Sequence, residues 1–304
     1  MLAENLKRIW RVALLVREPA SSLIRVMTTH LNGIPLFSLA IILMVIGAAI
    51  FAESLAPHSP FAGSLRHRLA PPFWLDGGNV SHPLGTDDLG RDILSRLIYG
   101  ARMSLIVAAA AVLGAGTLGV ALGLLAGYYG RTADALIMRL TDAAQAIPLI
   151  LVALLFVVTL GQGSINVVIA LVVLLWSRYT RVVRGEVLSL KSRDYIALAR
   201  VAGASDTRII LRHILPNTFN TIVVLMTLQV GIVILVEASL SFLGAGVPPP
   251  NPAWGSMVAE GRDFVANAWW ISFFPGLAVM LTVLACNLLG DWVRDRLDPQ
   301  LRQI

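Results

Sequence analysis

The residues best equipped for chemistry fall into a few small groups. Asp87, Asp88 and Asp92 stand among Arg91, Arg96 and Arg102 in the segment 82–105, HPLGTDDLGRDILSRLIYGARMSL. Clustered aspartates can hold a divalent cation. The ligand alternation and closing Glu of an EF-hand are missing here, so local ion pairing in a structural turn is expected, with no metal site. The histidines are His30, His58, His67, His82 and His213, and all lie outside the long apolar runs. None pairs with the single cysteine, Cys286, whose apolar surroundings point to inert packing. No HExxH or GxSxG occurs, so metal-assisted and serine-nucleophile hydrolysis lack their parts. An intramembrane enzyme would need converging polar groups at membrane depth, and a proton-coupled carrier would need a relay of carboxylates there. The apolar runs offer Gln229 in mid-run and Glu237 and Glu53 near run ends. Both glutamates are expected to be interfacial. Gln229 and Glu237 are retained as possible gate or pore groups, and no catalytic residue is assigned.

A nucleotide site is also missing. A P-loop needs a Gly directly before its Lys, because backbone amides must wrap the phosphates. The chain has two lysines, Lys7 and Lys191, and Leu190 precedes Lys191. No cofactor is therefore expected on this chain. If ATP drives it, another subunit supplies the site.

The elements that must position these residues are apolar helices. Of 304 residues, 57% are hydrophobic and 14% charged, and the mean hydropathy is +0.76. The apolar residues gather into runs near the roughly 20 residues that cross a bilayer as helix. Six spans are expected, at about 34–55, 103–125, 141–160, 167–179, 221–240 and 270–289. The fourth is short and is expected to draw in Ile165 and residues near Val183. The first is read as an uncleaved anchor, since it is too long and begins too late for a signal peptide. Gly119, Gly123 and Gly127 form a small-xxx-small stripe for close helix packing. Pro148 is expected to kink the third span. Trp269, Trp270 and Trp292 flank the sixth as interfacial anchors.

The remaining segments follow. Residues 1–33 are a basic tail in which 9–16, IWRVALLV, is expected along the membrane surface. Residues 56–102, rich in Pro and Gly, read as an extracytoplasmic loop rather than a packed domain. Residues 103–290 hold a five-helix core with a polar loop at 186–216, and 291–304 form a second tail. Eighteen of the 24 Lys and Arg residues lie in 1–33, 126–140, 178–216 and 291–304, against six in 56–102 and 241–269. That bias places both termini and the 186–216 loop in the cytoplasm. The net charge of +6 is thus a topology signal, with no nucleic-acid partner implied.

The 186–216 loop reads as two helices. Tyr195, Leu198, Ala199 and Ala202 recur at helical spacing. Gly203 can end that helix in a left-handed conformation. Ser205 can cap a second helix with Asp206 near its positive end, and Pro216 is expected to stop or kink it. A solvated basic connection beside anionic lipid would need neither the Gly203 turn nor the apolar stripe.

Residues 194–217, DYIALARVAGASDTRIILRHILPN, resemble the cytoplasmic EAA loop of permease subunits in binding-protein-dependent ABC importers. The segments 82–105 and 240–257, LSFLGAGVPPPNPAWGSM, look like the C-type permease of dipeptide, oligopeptide and nickel importers. The resemblance implies an all-α membrane protein with the ABC importer permease fold. It implies a cell (inner) membrane location and a lipid bilayer around six spans. Its implied partners are a homologous second permease, two cytoplasmic ATPase subunits that use ATP, and an extracytoplasmic substrate-binding protein. The coupling residues it implies are Asp194, Tyr195, Ala197, Leu198, Ala199, Arg200, Gly203, Ala204, Ser205, Leu215 and Pro216. The family's Glu-Ala-Ala falls on Ala197, Leu198 and Ala199, so one expected polar contact is missing. Peptide is the first substrate expectation, with nickel or another small solute as the alternative.

Overall fold

The computed structural model describes residues 30–31 and 34–297. The 9–16 reading lies outside the described residues, as does the end of the second tail. Apart from a two-residue pairing of His30–Leu31 with Ile34–Pro35, the chain folds as helices. They are α1 (Leu36–Ile50), α2 (Ala52–Leu55), α3 (Ile93–Tyr129), α4 (Arg131–Ala146), α5 (Leu149–Leu160) and α6 (Ser164–Lys191). There follow α7 (Asp194–Val201), α8 (Asp206–Ile209), a π-helical turn Ile210–Ile214, α9 (Leu215–Phe242), α10 (Trp254–Gly261) and α11 (Trp270–Leu297). Four helices are long and apolar enough to cross a membrane: α3, α6, the continuous stretch Asp206–Phe242, and α11. The helix α1 is apolar but shorter, and α4 with α5 passes only as a pair bent by 95°.

The core is organised on a seam between α3 and α6. A Cβ on Gly119 would lie 2.4 Å from the Trp176 carbonyl oxygen and 2.5 Å from Tyr179 Cβ. On Gly123 it would meet Val183 Cβ at 2.8 Å, and on Gly127 Val187 Cβ at 2.6 Å. Only hydrogen fits at these three positions, which lets the backbones approach. Their partners rise in number along both helices, so α3 and α6 are parallel neighbours. The 131–160 connection must therefore return the chain nearly the full height of the bundle. The helix α9 runs antiparallel to α3, with Met226 at Gly116 and Glu237 at Ser104. It is also antiparallel to α11, with Gly231 at Asn287 and Leu228 at Gly290.

Several sequence expectations change. The expected turn at 126–140 is helical: α3 runs to Tyr129, Gly130 takes φ +65°, and α4 begins at Arg131. The fourth span is 28 residues, far longer than 167–179. Pro148 breaks the third span outright, because the chain turns by 95° there. Pro216 does not stop its helix. It occupies the first turn of α9, where a missing N–H costs little, and the wider π turn just before it leaves room for the ring.

The 56–102 segment also departs from an unpacked loop. Its last ten residues are the start of α3, and Thr86, Asp87, Arg91, Asp92, Ser95 and Arg96 are buried. Trp254 Nε1 donates to the Leu97 carbonyl at 2.9 Å and Trp270 Nε1 to that of Thr86 at 3.1 Å. The 56–92 and 243–269 segments thus knit into one cap at a single end of the bundle. The Pro-rich stretch after α9 returns to helix at Trp254.

Candidate functional site

At the end of the bundle opposite this cap, the chain leaves α6 and builds the 186–216 turn. The helix α7 closes in a Schellman arrangement. The Ala204 amide donates to the Ala199 carbonyl at 3.0 Å and the Gly203 amide to that of Arg200 at 2.9 Å. This closure needs the left-handed φ of +79° at Gly203. Ser205 then caps α8, its hydroxyl oxygen accepting from the Arg208 amide at 3.4 Å. Ala199 and Ala204, at the two ends of the closure, both pack on the apolar cluster beneath it.

That cluster holds the turn as a rigid unit. Ile196, Ile209 and Ile214 are each fully buried, alongside Leu124, Val183, Val187 and Ile222. Fully burying three Ile side chains contributes roughly 5–9 kcal/mol against exposure. Polar contacts add direction. Tyr128 Oη donates to Asp206 Oδ1 at 2.5 Å. Lys191 Nζ donates to the Tyr128 carbonyl, and the Lys191 and Arg200 cations each sit 5.6 Å from the Tyr128 ring centre. Arg184 grips Asp134 with two guanidinium nitrogens, Nη2 at 2.6 Å, and Arg181 Nη2 donates to Asp142 at 2.5 Å. These pairs bind α4 to α6.

The outward face is apolar. Leu198 is 68% and Val201 87% exposed, with Tyr195, Ala197 and Ala202 beside them and Asp194 and Arg200 also exposed. Of the stripe read from the sequence, Tyr195, Leu198 and Ala202 face outward, and only Ala199 packs inward. The inward anchor is Ile196. Sequence reasoning missed it, although its i, i+3 spacing to Ala199 marks a second, opposite stripe. It also missed Tyr128 and Asp134, which lie fifty or more residues from their partners. Leu215 is half-buried and Pro216 exposed.

At the opposite end, four charges form a closed quartet. Arg91 Nε donates to Asp87 Oδ2 at 2.7 Å and its Nη2 to Glu260 Oε2 at 2.9 Å. Arg96 donates to Asp87 and makes two bonds to Glu260, at 2.6 and 3.0 Å. Asp92 caps α3, accepting from the Ser95 amide at 2.8 Å and hydroxyl at 2.7 Å, with His82 Nδ1 3.1 Å from its other oxygen. His58, His82 and Asp92 lie close enough to share a cation, as do Asp87, Asp88 and Glu260. Ser95 and His82 already engage both oxygens of Asp92, and the two guanidinium groups engage Asp87 and Glu260. The Asp88 carboxylate has no ion-pair partner among the described residues.

In the bundle interior, Glu237 departs from the interfacial expectation. It is 0% exposed, accepts from Ser241 Oγ at 2.8 Å, and lies 3.5 Å from Ser104 Oγ. It is enclosed because α9 continues beyond it to Phe242 and α10 folds over that end, Gly255 lying against Ala238 and Ser241. Glu53 remains at the surface, 3.2 Å from Arg102 Nη1. Gln229 is buried, and its amide nitrogen has no hydrogen-bond partner among the described residues. Cys286 is a buried free thiol.

Residues 119–303 match the family described as "Binding-protein-dependent transport system inner membrane component". The Di/tripeptide transport system permease protein DppC of Pseudomonas aeruginosa (strain UCBPP-PA14) is 44% identical over 264 residues, covering 87% of each chain. The Dipeptide transport system permease protein DppC of Escherichia coli (strain K12) is 45% identical over 265 residues, 87% of this chain and 88% of its own. That of Haemophilus influenzae (strain ATCC 51907 / DSM 11121 / KW20 / Rd) is 42% identical over 268 residues, 88% of this chain and 91% of its own. A bundle of apolar helices carrying a rigid, apolar-faced turn at one end and a polar cap at the other is thus matched along most of its length, and the chain belongs to the family of inner membrane components of binding-protein-dependent transport systems.

Proposed function

We propose that this chain is the C-type permease subunit of an ATP-driven peptide importer. It forms half of the translocation pore with a homologous second permease. Its Asp194–Pro216 turn seats on one of two cytoplasmic ATPase subunits, and an extracytoplasmic binding protein delivers peptide to the capped end. ATP is hydrolysed on the partners and not on this chain. Six spans with both termini cytoplasmic follow if α1 and the bent α4–α5 pair each cross once, and the parallel α3–α6 seam supports that return. The charge bias of the loops supports the sidedness.

The observation that carries the reading is the α7 turn. An apolar face at Leu198 and Val201 stands outside the bundle while Ile196, Ile209 and Ile214 root the same turn in it. A surface that a partner pushes must be both exposed and rigidly joined to the spans. Here ATPase closure would move α6 and α9 together. The peptide substrate is carried over from the similar di/tripeptide and dipeptide permeases.

Gly203→Asp tests this. Nothing lies within 4 Å of a Cβ built there, so the substitution strains the left-handed turn by roughly 1–2 kcal/mol and adds a charge to the docking face. Membrane insertion should be normal, while ATPase co-purification and substrate-stimulated hydrolysis should fall. Wild-type values for both would refute the coupling role.

A further inference from the structure

Three arginines step along one face of α6 at intervals of three: Arg178, Arg181 and Arg184. The helix α4 runs antiparallel beside them and answers the first two rungs with carboxylates. Arg184 pairs with Asp134 and Arg181 with Asp142. At the third rung α4 offers Gln145, a neutral amide. Arg178 is exposed and has no carboxylate within ion-pair distance among the described residues. It lies 14 residues from the start of α6 and 13 from its end, so about 20 Å from either end at 1.5 Å per residue. Its side chain lines the clefts beside α6.

Gln145 and Arg178 line two adjoining clefts of ≈ 370 and ≈ 390 Å³. The first is walled by Ile147 and Pro148, the non-helical break between α4 and α5. The second reaches Gln229, whose buried amide nitrogen is the unpartnered group described above. An unpaired guanidinium, an unpaired buried amide and a broken helix thus border the same space.

We propose that Arg178, with Gln145 and Gln229, forms a transit site for the C-terminal carboxylate of the transported peptide. The guanidinium fork matches a carboxylate in a bidentate geometry, and the two side-chain amides match peptide N–H and C=O groups. This assignment rests on the peptide-import reading.

The test uses the complete complex in proteoliposomes, with binding protein and a radiolabelled dipeptide outside. Arg178→Gln removes the charge. Gln145→Glu supplies the missing third-rung carboxylate and neutralises Arg178 without disturbing it. Loss of one charge-assisted bond should slow peptide import roughly tenfold or more in each variant. Assembly and binding-protein-stimulated ATP hydrolysis should stay near wild type, and Arg178→Lys should retain more import than Arg178→Gln. Import within twofold of wild type in both variants would overturn the assignment while leaving peptide import intact. Loss of subunit assembly in Arg178→Gln, with normal import by Gln145→Glu, would place Arg178 in a contact with the second permease and also overturn it. A wild-type complex that hydrolyses ATP but imports no peptide would refute the peptide reading itself, and the transit site with it.

Discussion

Asp87→Asn should be among the most destabilising single-atom changes in this protein. The quartet Arg91, Arg96, Asp87 and Glu260 holds two positive and two negative charges, and Asp87 is fully buried. The substitution leaves shape and the two backbone bonds from Leu89 and Arg91 amides, each 2.9 Å, able to persist. It leaves two guanidinium groups sharing one carboxylate. Removing one partner of a buried pair costs about 3–5 kcal/mol, because the other charge stays buried and uncompensated. That corresponds to roughly 10 °C in melting temperature for a chain of this size. Asp88→Asn is the control, since Asp88 makes none of these bonds and should shift stability by less than about 1 kcal/mol. The assay is thermal aggregation of the detergent-solubilised complex, read for wild type, both single variants and Asp87→Asn/Arg91→Gln. The double variant restores neutrality and should recover at least half of the loss. A melting temperature for Asp87→Asn equal to that of Asp88→Asn, or a double variant worse than the single, would refute the charge-balance argument.

Gly119→Ala should destabilise by about 1–3 kcal/mol, because its methyl meets a backbone carbonyl that cannot rotate away. Gly185→Ala on the partner helix, with nothing within 4 Å, should be neutral, and equal melting temperatures for the two would deny the seam. Tyr128→Phe removes the hydroxyl bond to Asp206 but keeps the ring beneath Lys191 and Arg200. It should lower stimulated ATP hydrolysis modestly, whereas Tyr128→Ala should abolish stimulation, and the same assay on both variants decides.

The parts of this molecule readable from the sequence were those governed by local rules. The Gly203 closure and the Ser205 cap need only neighbours within a few residues, and the Gly119–Gly123–Gly127 stripe announces close packing without naming its partner. What escaped was set by distant chain. Glu237 looks interfacial by its place in an apolar run, yet Ser104 and α10 enclose it. Asp87 and Arg96 look like loop residues until Glu260 arrives from far along the chain. Hydropathy underestimated α6, because Arg178, Arg181 and Arg184 interrupt the apolar count although two of them are neutralised by α4. Amphipathic spacing on α7 fits two opposite stripes, and only the packing beneath it distinguishes the buried one at Ile196 from the exposed one at Leu198.

Under the proposed function, the α7 turn transmits the ATPase cycle. Cysteines placed at Val201, 87% exposed, and on the facing surface of the ATPase subunit test it most directly in the assembled complex. Cys286 is buried and should not compete. A disulfide crosslink should form at Val201, be absent from a cysteine at exposed Ser64 on the opposite cap, and block transport until reduced. Failure of Val201→Cys to crosslink in a complex that still imports peptide, or full transport with the crosslink in place, would contradict it.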